Sequence, residues 1–209
     1  MEHEDLLKTY KIFTKSRVET LSDGVFAIAM TILVTTLEVP KSAAGISDAT
    51  LDASIINNIS ELGAYFLSFI LLAIFWWSQH ERYHHIKYVD RTLIVLTISS
   101  LMFVALLPFS TDFIGNFPTY PQVAVIFELN LLLIGLITYG MWLYTSNDTV
   151  LGSTQSDELF IATHRNRVLI FPVLSFIAII LALFSFEYSH LVYLFVPIYF
   201  VGIELKNKT

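Results

Sequence analysis

RVETLSDGVFAIAMTILVTTLEVP, running from Arg17 to Pro40, is the stretch on which the reading of this chain turns. From Val25 to Leu37 it is apolar apart from Thr31, Thr35 and Thr36. With its flanks it reaches the ~20 residues that carry a helix across a ~30 Å hydrocarbon core, so it is expected to span a membrane. Its entry carries Arg17, Ser22 and Asp23 and its exit Glu38. Ionisable groups at the edge of a span face protein or water rather than lipid.

On a helical projection Gly24, Ile28, Thr31, Ile32, Thr35 and Val39 share one face, while Phe26, Met30, Leu33 and Leu37 fall roughly opposite. One face is small, branched and hydroxyl-bearing; the other is bulky. Two readings follow. Small residues and threonines are what packed transmembrane helices use to approach and bond one another. Alternatively, Ile28, Ile32 and Thr35, at i, i+4 and i+7, point into a channel shared by symmetry-related copies.

The remainder of the chain is equally apolar. Over 209 residues, 55% are hydrophobic, 14% are charged and the mean hydropathy is +0.66, against a charged fraction near ~25% in ordinary soluble domains. This composition describes an integral membrane protein. The formal charge of -6 carries no basic footprint for nucleic acid. The absence of cysteine excludes disulfides, thiolate metal sites and a thiol nucleophile. The N-terminal MEHEDLLKTYKIF lacks the short apolar core of a secretory signal and is expected to stay on the mature protein.

Six apolar segments, about 22 to 39, 56 to 79, 92 to 110, 122 to 145, 167 to 186 and 189 to 204, predict an all-α membrane fold with six spans in a single domain, residues 1–209. Eleven of the 12 Lys and Arg, all but Lys41, fall on one side of this arrangement. The positive-inside rule then puts both termini and the two basic loops in the cytoplasm, as in a multi-pass protein of the cell membrane. The opposite loops hold Asp48, Asp52 and Glu61 in the first and Asp112 in the second, with Pro118 and Pro121 ending helices.

The pattern R-x-x-x-L-S-D at Arg17, Leu21, Ser22 and Asp23, followed by GVFAIAMTILV, resembles the R-x-x-x-F-S-D first-helix signature of the transmembrane protein 175 family of potassium channels. Leu21 stands where that signature has phenylalanine. The resemblance implies a pore lined by the first helix, with a hydrophobic constriction at Ile28, a threonine beside it at Thr31, and Ile32 and Thr35 further along. It also implies a homotetramer, because family members with two repeats assemble as dimers and this chain carries a single copy of the signature. No cofactor is implied; the partners are permeant potassium ions and the lipid bilayer.

The second segment ends in AIFWWSQHERYHHIKY, similar to the family's Y/F-W-x-x-H-H-R pattern at Phe75, Trp76 and His80, with Gln79 and Glu81 departing from it. Trp76 and His80, at i and i+4, share a helix face and each has an N–H to place. They are expected to join Arg17, Ser22 and Asp23 in a structural polar network at the inner boundary. Glu38 is a candidate for the outer mouth. His80, His84 and His85 have spacing compatible with a metal but no third ligand type at a defined offset, so no metal site is assigned. The third segment ends in LLPFST, Leu106 to Thr111, similar to the family's L-L-P-F, with Ser110 and Thr111 placed to bond the carbonyls that Pro108 frees. Glu128 and Asn130 lie within the fourth span, where polar residues are site candidates by default.

The function expected is passive, potassium-selective conduction through a central pore. Nothing resembles a T-V-G-Y-G carbonyl filter, so selectivity falls to side chains, an Ile28 ring with threonine hydroxyls next to it. A proton- or cation-coupled secondary transporter using Asp23, Glu38, Glu128 and His80 is the alternative, although no internal repeat is visible. Phosphate loops and G-x-S-x-G are absent, and the chain is not expected to be an enzyme.

Overall fold

The computed structural model describes residues 15–37, 48–86, 89–147, 167–184 and 189–196, which are helical apart from short connections. Helix α1 runs Lys15–Ile32 and tightens into a 3-10 turn, Leu33–Thr36; α2 is Asp48–His85, α3 Arg91–Asn116, α4 Pro121–Asn147 and α5 Ile170–Leu183, followed by a 3-10 segment, Ser189–Leu194. Among the described residues four stretches are long and apolar enough to cross a membrane: Lys15–Thr36, Ile59–His85, Arg91–Asn116 and Pro121–Ser146. Helix α5 has 14 residues. At 1.5 Å per residue it is about 21 Å long, short of a full hydrocarbon core. Part of the sixth expected segment, 197 to 204, lies outside the described residues, as does Glu38.

Helix α3 packs against α1, α2 and α4, and α5 packs on the far side of α4. The main core joins Phe26 and Leu33 of α1, Leu71 and Phe75 of α2, Val104 and Leu107 of α3, Phe127 and Trp142 of α4, and Phe171 of α5. A smaller cluster of Val18, Tyr83, Ile86, Val89, Leu93 and Met141 closes one end of the bundle. Helix α3 begins there on a side-chain cap, Asp90 accepting the Leu93 amide at 2.9 Å, and the same carboxylate accepts the Tyr144 hydroxyl of α4. Elsewhere the surface is greasy: Phe66, Val95, Met102, Phe109, Phe176 and Leu183 are all exposed, an arrangement suited to lipid and costly in water.

Four sequence expectations need correction. Asp48, Asp52 and Glu61, read as an external loop, all lie on α2, whose 38 residues make it about 57 Å long, so that it outruns the hydrocarbon and extends into the acidic segment. An acidic start suits a helix N-terminus, where the macrodipole favours negative charge. Asp112 is likewise helical, because α3 continues past Pro108 to Asn116 rather than ending near 110. Ser110 and Thr111 bond the Leu107 carbonyl at 3.0 and 2.9 Å, not the Val104 carbonyl to which the missing Pro108 amide would have donated. Finally, Pro121 starts α4 instead of ending a helix, at the position where the missing amide costs nothing.

Hydroxyls and amides connect the helices inside the bundle. The Thr111 and Ser68 hydroxyls lie 2.8 Å apart between α3 and α2, Asn130 Nδ2 donates to Ser110 Oγ at 3.2 Å between α4 and α3, and Trp142 Nε1 donates to Ser78 Oγ at 3.0 Å between α4 and α2. Where the competing partner is hydrocarbon, such bonds fix helix registry. Asn130 therefore has a packing role.

Candidate functional site

The two faces of α1 have different fates. Phe26, Ala29 and Leu33 are buried in the core and Met30 packs against it, whereas Leu21, Gly24, Ala27, Ile28, Thr31, Ile32 and Thr35 are exposed. Ile28 keeps 59% of its surface and Ile32 46%. The four residues singled out from the sequence, Ile28, Thr31, Ile32 and Thr35, therefore lie on a stripe that the chain's own helices leave uncovered. Its texture differs from that of the exposed faces of α3 and α5: it alternates branched aliphatic groups with hydroxyls and small residues.

The hydroxyls on this stripe have a defined polarity. Thr31 Oγ1 donates to the Ile28 carbonyl at 2.8 Å and Thr35 Oγ1 to the Ile32 carbonyl at 2.7 Å, each one turn back. A hydroxyl has one proton and two lone pairs, so once the proton is committed to the backbone the oxygen faces outward as an acceptor. The exposed face thus offers outward-facing oxygens to a cation without offering those hydroxyl protons to an anion.

At one end of α1 a second feature appears, made by two helices. Ser16, Glu19, Thr20 and Asp23 follow i, i+3, i+4, i+7 spacing on α1, and Trp76, Gln79, His80 and Tyr83 follow the same spacing on α2. The two stripes face each other across a cavity of about 310 Å³, which Ser22 also lines. Trp76 Nε1 donates to Asp23 Oδ1 at 2.8 Å, and the indole stacks on His80 with ring centroids 5.7 Å apart. Ser22 is buried and donates to the Val18 carbonyl at 2.8 Å. The Tyr83 hydroxyl pairs with Thr97 at 2.8 Å, anchoring the α2 stripe to α3.

The structure brings Ser22, Asp23, Trp76 and His80 together and leaves Arg17 out. Arg17 is exposed and makes no hydrogen bond or ion pair among the described residues. Glu19, Thr20 and Gln79 belong to this site although the sequence reading did not select them. Their signal was available as the shared 3-4-7 spacing around Asp23 and Trp76. Glu128, on α4, is fully buried beside Tyr193 and Ser189 and does not line this cavity. Among the described residues no group of three His, Cys, Asp or Glu side chains is placed to hold a metal.

The Asp23–Trp76 bond predicts a coupled pair. Trp76→Phe and Asp23→Leu are each expected to cost about 1 kcal/mol of stability, the usual net value of one hydrogen bond, and the double variant no more than either alone. Thermal unfolding in detergent measures this; additive losses would show that the two residues act separately. Arg17→Ala, lacking a partner among the described residues, is expected to leave the subunit's own fold intact.

Residues 17–108 match the model of a family described as endosomal/lysosomal potassium channel TMEM175. A potassium channel from Streptomyces collinus is 30% identical over 130 residues, 60% of this chain and 62% of that protein, so the match spans less than two thirds of the relative's length. The mouse endosomal/lysosomal proton channel TMEM175 is 31% identical over 116 residues, 52% of this chain and 23% of that protein. The crystal structure of a lysosomal potassium-selective channel TMEM175 homolog from Chamaesiphon minutus superposes with a TM-score of 0.76 at 24% identity, covering 90% of this chain and 96% of that one, a likeness of fold.

Proposed function

Because residues 17–108 match the TMEM175 family model, we propose that this chain is one subunit of a passive, potassium-selective channel of that family whose pore is lined by α1. The observation that carries the reading is the exposed α1 stripe, in which Ile28 and Ile32 alternate with the outward-facing oxygens of Thr31 and Thr35. Such a face is poorly suited to lipid, and it becomes useful when symmetry-related copies turn it toward a common axis. The assembly is a homotetramer, with six spans per subunit, the narrowest point at a ring of Ile28, and the threonine oxygens replacing part of a cation's hydration shell next to it. Glu38 is assigned to the outer mouth. No enzyme activity is involved; the permeant ion is the only ligand that conduction requires.

Both termini are assigned to the cytoplasmic side of the cell membrane on the Lys/Arg asymmetry. Cysteines introduced at Ser47 and Ser153 are expected to react with an impermeant thiol reagent from opposite sides, and labelling from one side would overturn the six-span arrangement.

The function is tested in liposomes carrying purified protein under an outward potassium gradient, with potassium and proton movement followed in parallel. Rapid dissipative potassium efflux without any counter-substrate is expected, slowed when sodium replaces potassium. The animal relative's description as a proton channel supports a second reading. Proton movement that persists when potassium is absent would favour it, and flux that requires exchange for another substrate would point to a transporter.

A further inference from the structure

We propose that the cavity between α1 and α2 is a binding site for a small organic ammonium ion that carries a neutral oxygen acceptor two carbons from the nitrogen, the 2-aminoethanol pattern. This site is separate from the pore-facing stripe, and its occupancy does not depend on the conduction reading.

The argument is an inventory of protons. Most donors on the cavity wall are already committed within the chain: Ser22 Oγ to the Val18 carbonyl at 2.8 Å, Thr20 Oγ1 to the Ser16 carbonyl at 2.9 Å, and Trp76 Nε1 to Asp23 Oδ1 at 2.8 Å. The wall therefore presents mainly oxygen: two hydroxyls with free lone pairs, the second Asp23 oxygen and the Glu19 carboxylate, with the Ser16 hydroxyl, the His80 ring and the Gln79 amide as its remaining donors. Lys15 pairs with Glu19 at 3.7 Å, but both side chains are partly exposed and a surface pair of this kind is weak, so a ligand can displace it. Acceptors of this density select a cation with several N–H groups.

Gln79 supplies the second, independent requirement. It is only 4% exposed, it lines the cavity, and among the described residues its Nε2 has no hydrogen-bond partner. A buried amide donor left unpaired is costly, and one ligand oxygen relieves it. A bare metal ion satisfies the carboxylates but not this amide. A quaternary ammonium has no N–H to give. A phosphate ester brings negative charge beside Glu19 and Asp23. A primary ammonium with a hydroxyl two carbons away satisfies both sets at once. A water molecule takes about 30 Å³ of liquid, so a cavity of about 310 Å³ holds such a ligand together with several waters.

The test uses the full-length protein in detergent at constant ionic strength, with Trp77→Phe so that Trp76 reports binding; the third tryptophan, Trp142, is fully buried. Titration with 2-aminoethanol is expected to give a saturable fluorescence change. Ethylammonium, which lacks the oxygen, is expected to bind about fivefold more weakly, the value of one ordinary hydrogen bond, and choline more weakly than 2-aminoethanol. Gln79→Leu is expected to bring 2-aminoethanol and ethylammonium to the same affinity, and Glu19→Gln to weaken both. Gln79→Met, closer in shape, serves if the leucine variant does not fold. No saturable change with 2-aminoethanol, choline binding as tightly, or a fivefold preference that survives the Gln79 variants would each overturn the proposal.

Discussion

Ile28→Asn is expected to raise potassium conductance severalfold and to bring the reversal potential under opposed potassium and sodium gradients toward zero. Ile28 is 59% exposed on the uncovered face of α1, and the proposed tetramer would bring four copies of it together around the axis. A narrow ring of aliphatic groups excludes water over a short length and offers a dehydrating ion nothing in return. Asparagine is shorter and polar, so it wets the ring and lets cations pass with more of their hydration shell, which removes the step at which potassium and sodium differ. Met102→Asn is the control: Met102 is equally exposed, at 61%, but lies on α3, and its replacement is expected to change neither quantity. Thr31→Val, nearly isosteric, removes one ring of outward-facing oxygens and is expected to reduce selectivity while assembly is retained. Currents across planar bilayers measure all three. An Ile28→Asn channel with unchanged conductance and reversal potential would return the α1 stripe to being a packing surface.

The second large effect concerns α4 and α5. A Cβ at Gly135 would lie 3.1 Å from Phe171 Cβ, 3.1 Å from the Pro172 nitrogen and 3.2 Å from Pro172 Cδ. Two of these neighbours belong to the rigid proline unit and the third to a fully buried aromatic residue, so none moves aside cheaply. Membrane helices use such small-residue positions to bring backbones close, since dispersion contacts replace the hydrophobic drive that lipid does not supply. Gly135→Val is expected to cost about 1–3 kcal/mol through overpacking and to loosen α5 from the bundle. Gly140→Ala on the same helix has open space around its Cβ and is expected to be neutral or to stabilise by up to about 1 kcal/mol, because alanine is the better helix former. Thermal unfolding of the two variants in detergent gives opposite signs if this is correct, and the same sign if α4–α5 packing is not tight at Gly135.

Local pattern was enough to establish helices, a membrane composition and the two-faced first helix. Hydropathy over twenty residues and a period of 3.6 are properties of contiguous sequence, and lipid forces the backbone to satisfy itself within each segment. That Asp23 and Trp76 share one membrane boundary was an expectation of the sequence; the direct bond between them came only from the structure. What α2 does at its start was not legible: Asp48 and Asp52 look like loop residues until a helix long enough to leave the membrane carries them. Nor was the path of α3 beyond Pro108, because whether a proline ends a helix or only interrupts its bonding depends on neighbours that hold the next turns in place. The exclusion of Arg17 from the inner network, the burial of Gln79 beside a cavity, and the contact at Gly135 depend on how far apart two helices lie and how each is rotated. Those distances come from the packing of side chains distant in sequence, so only the tertiary structure decided them.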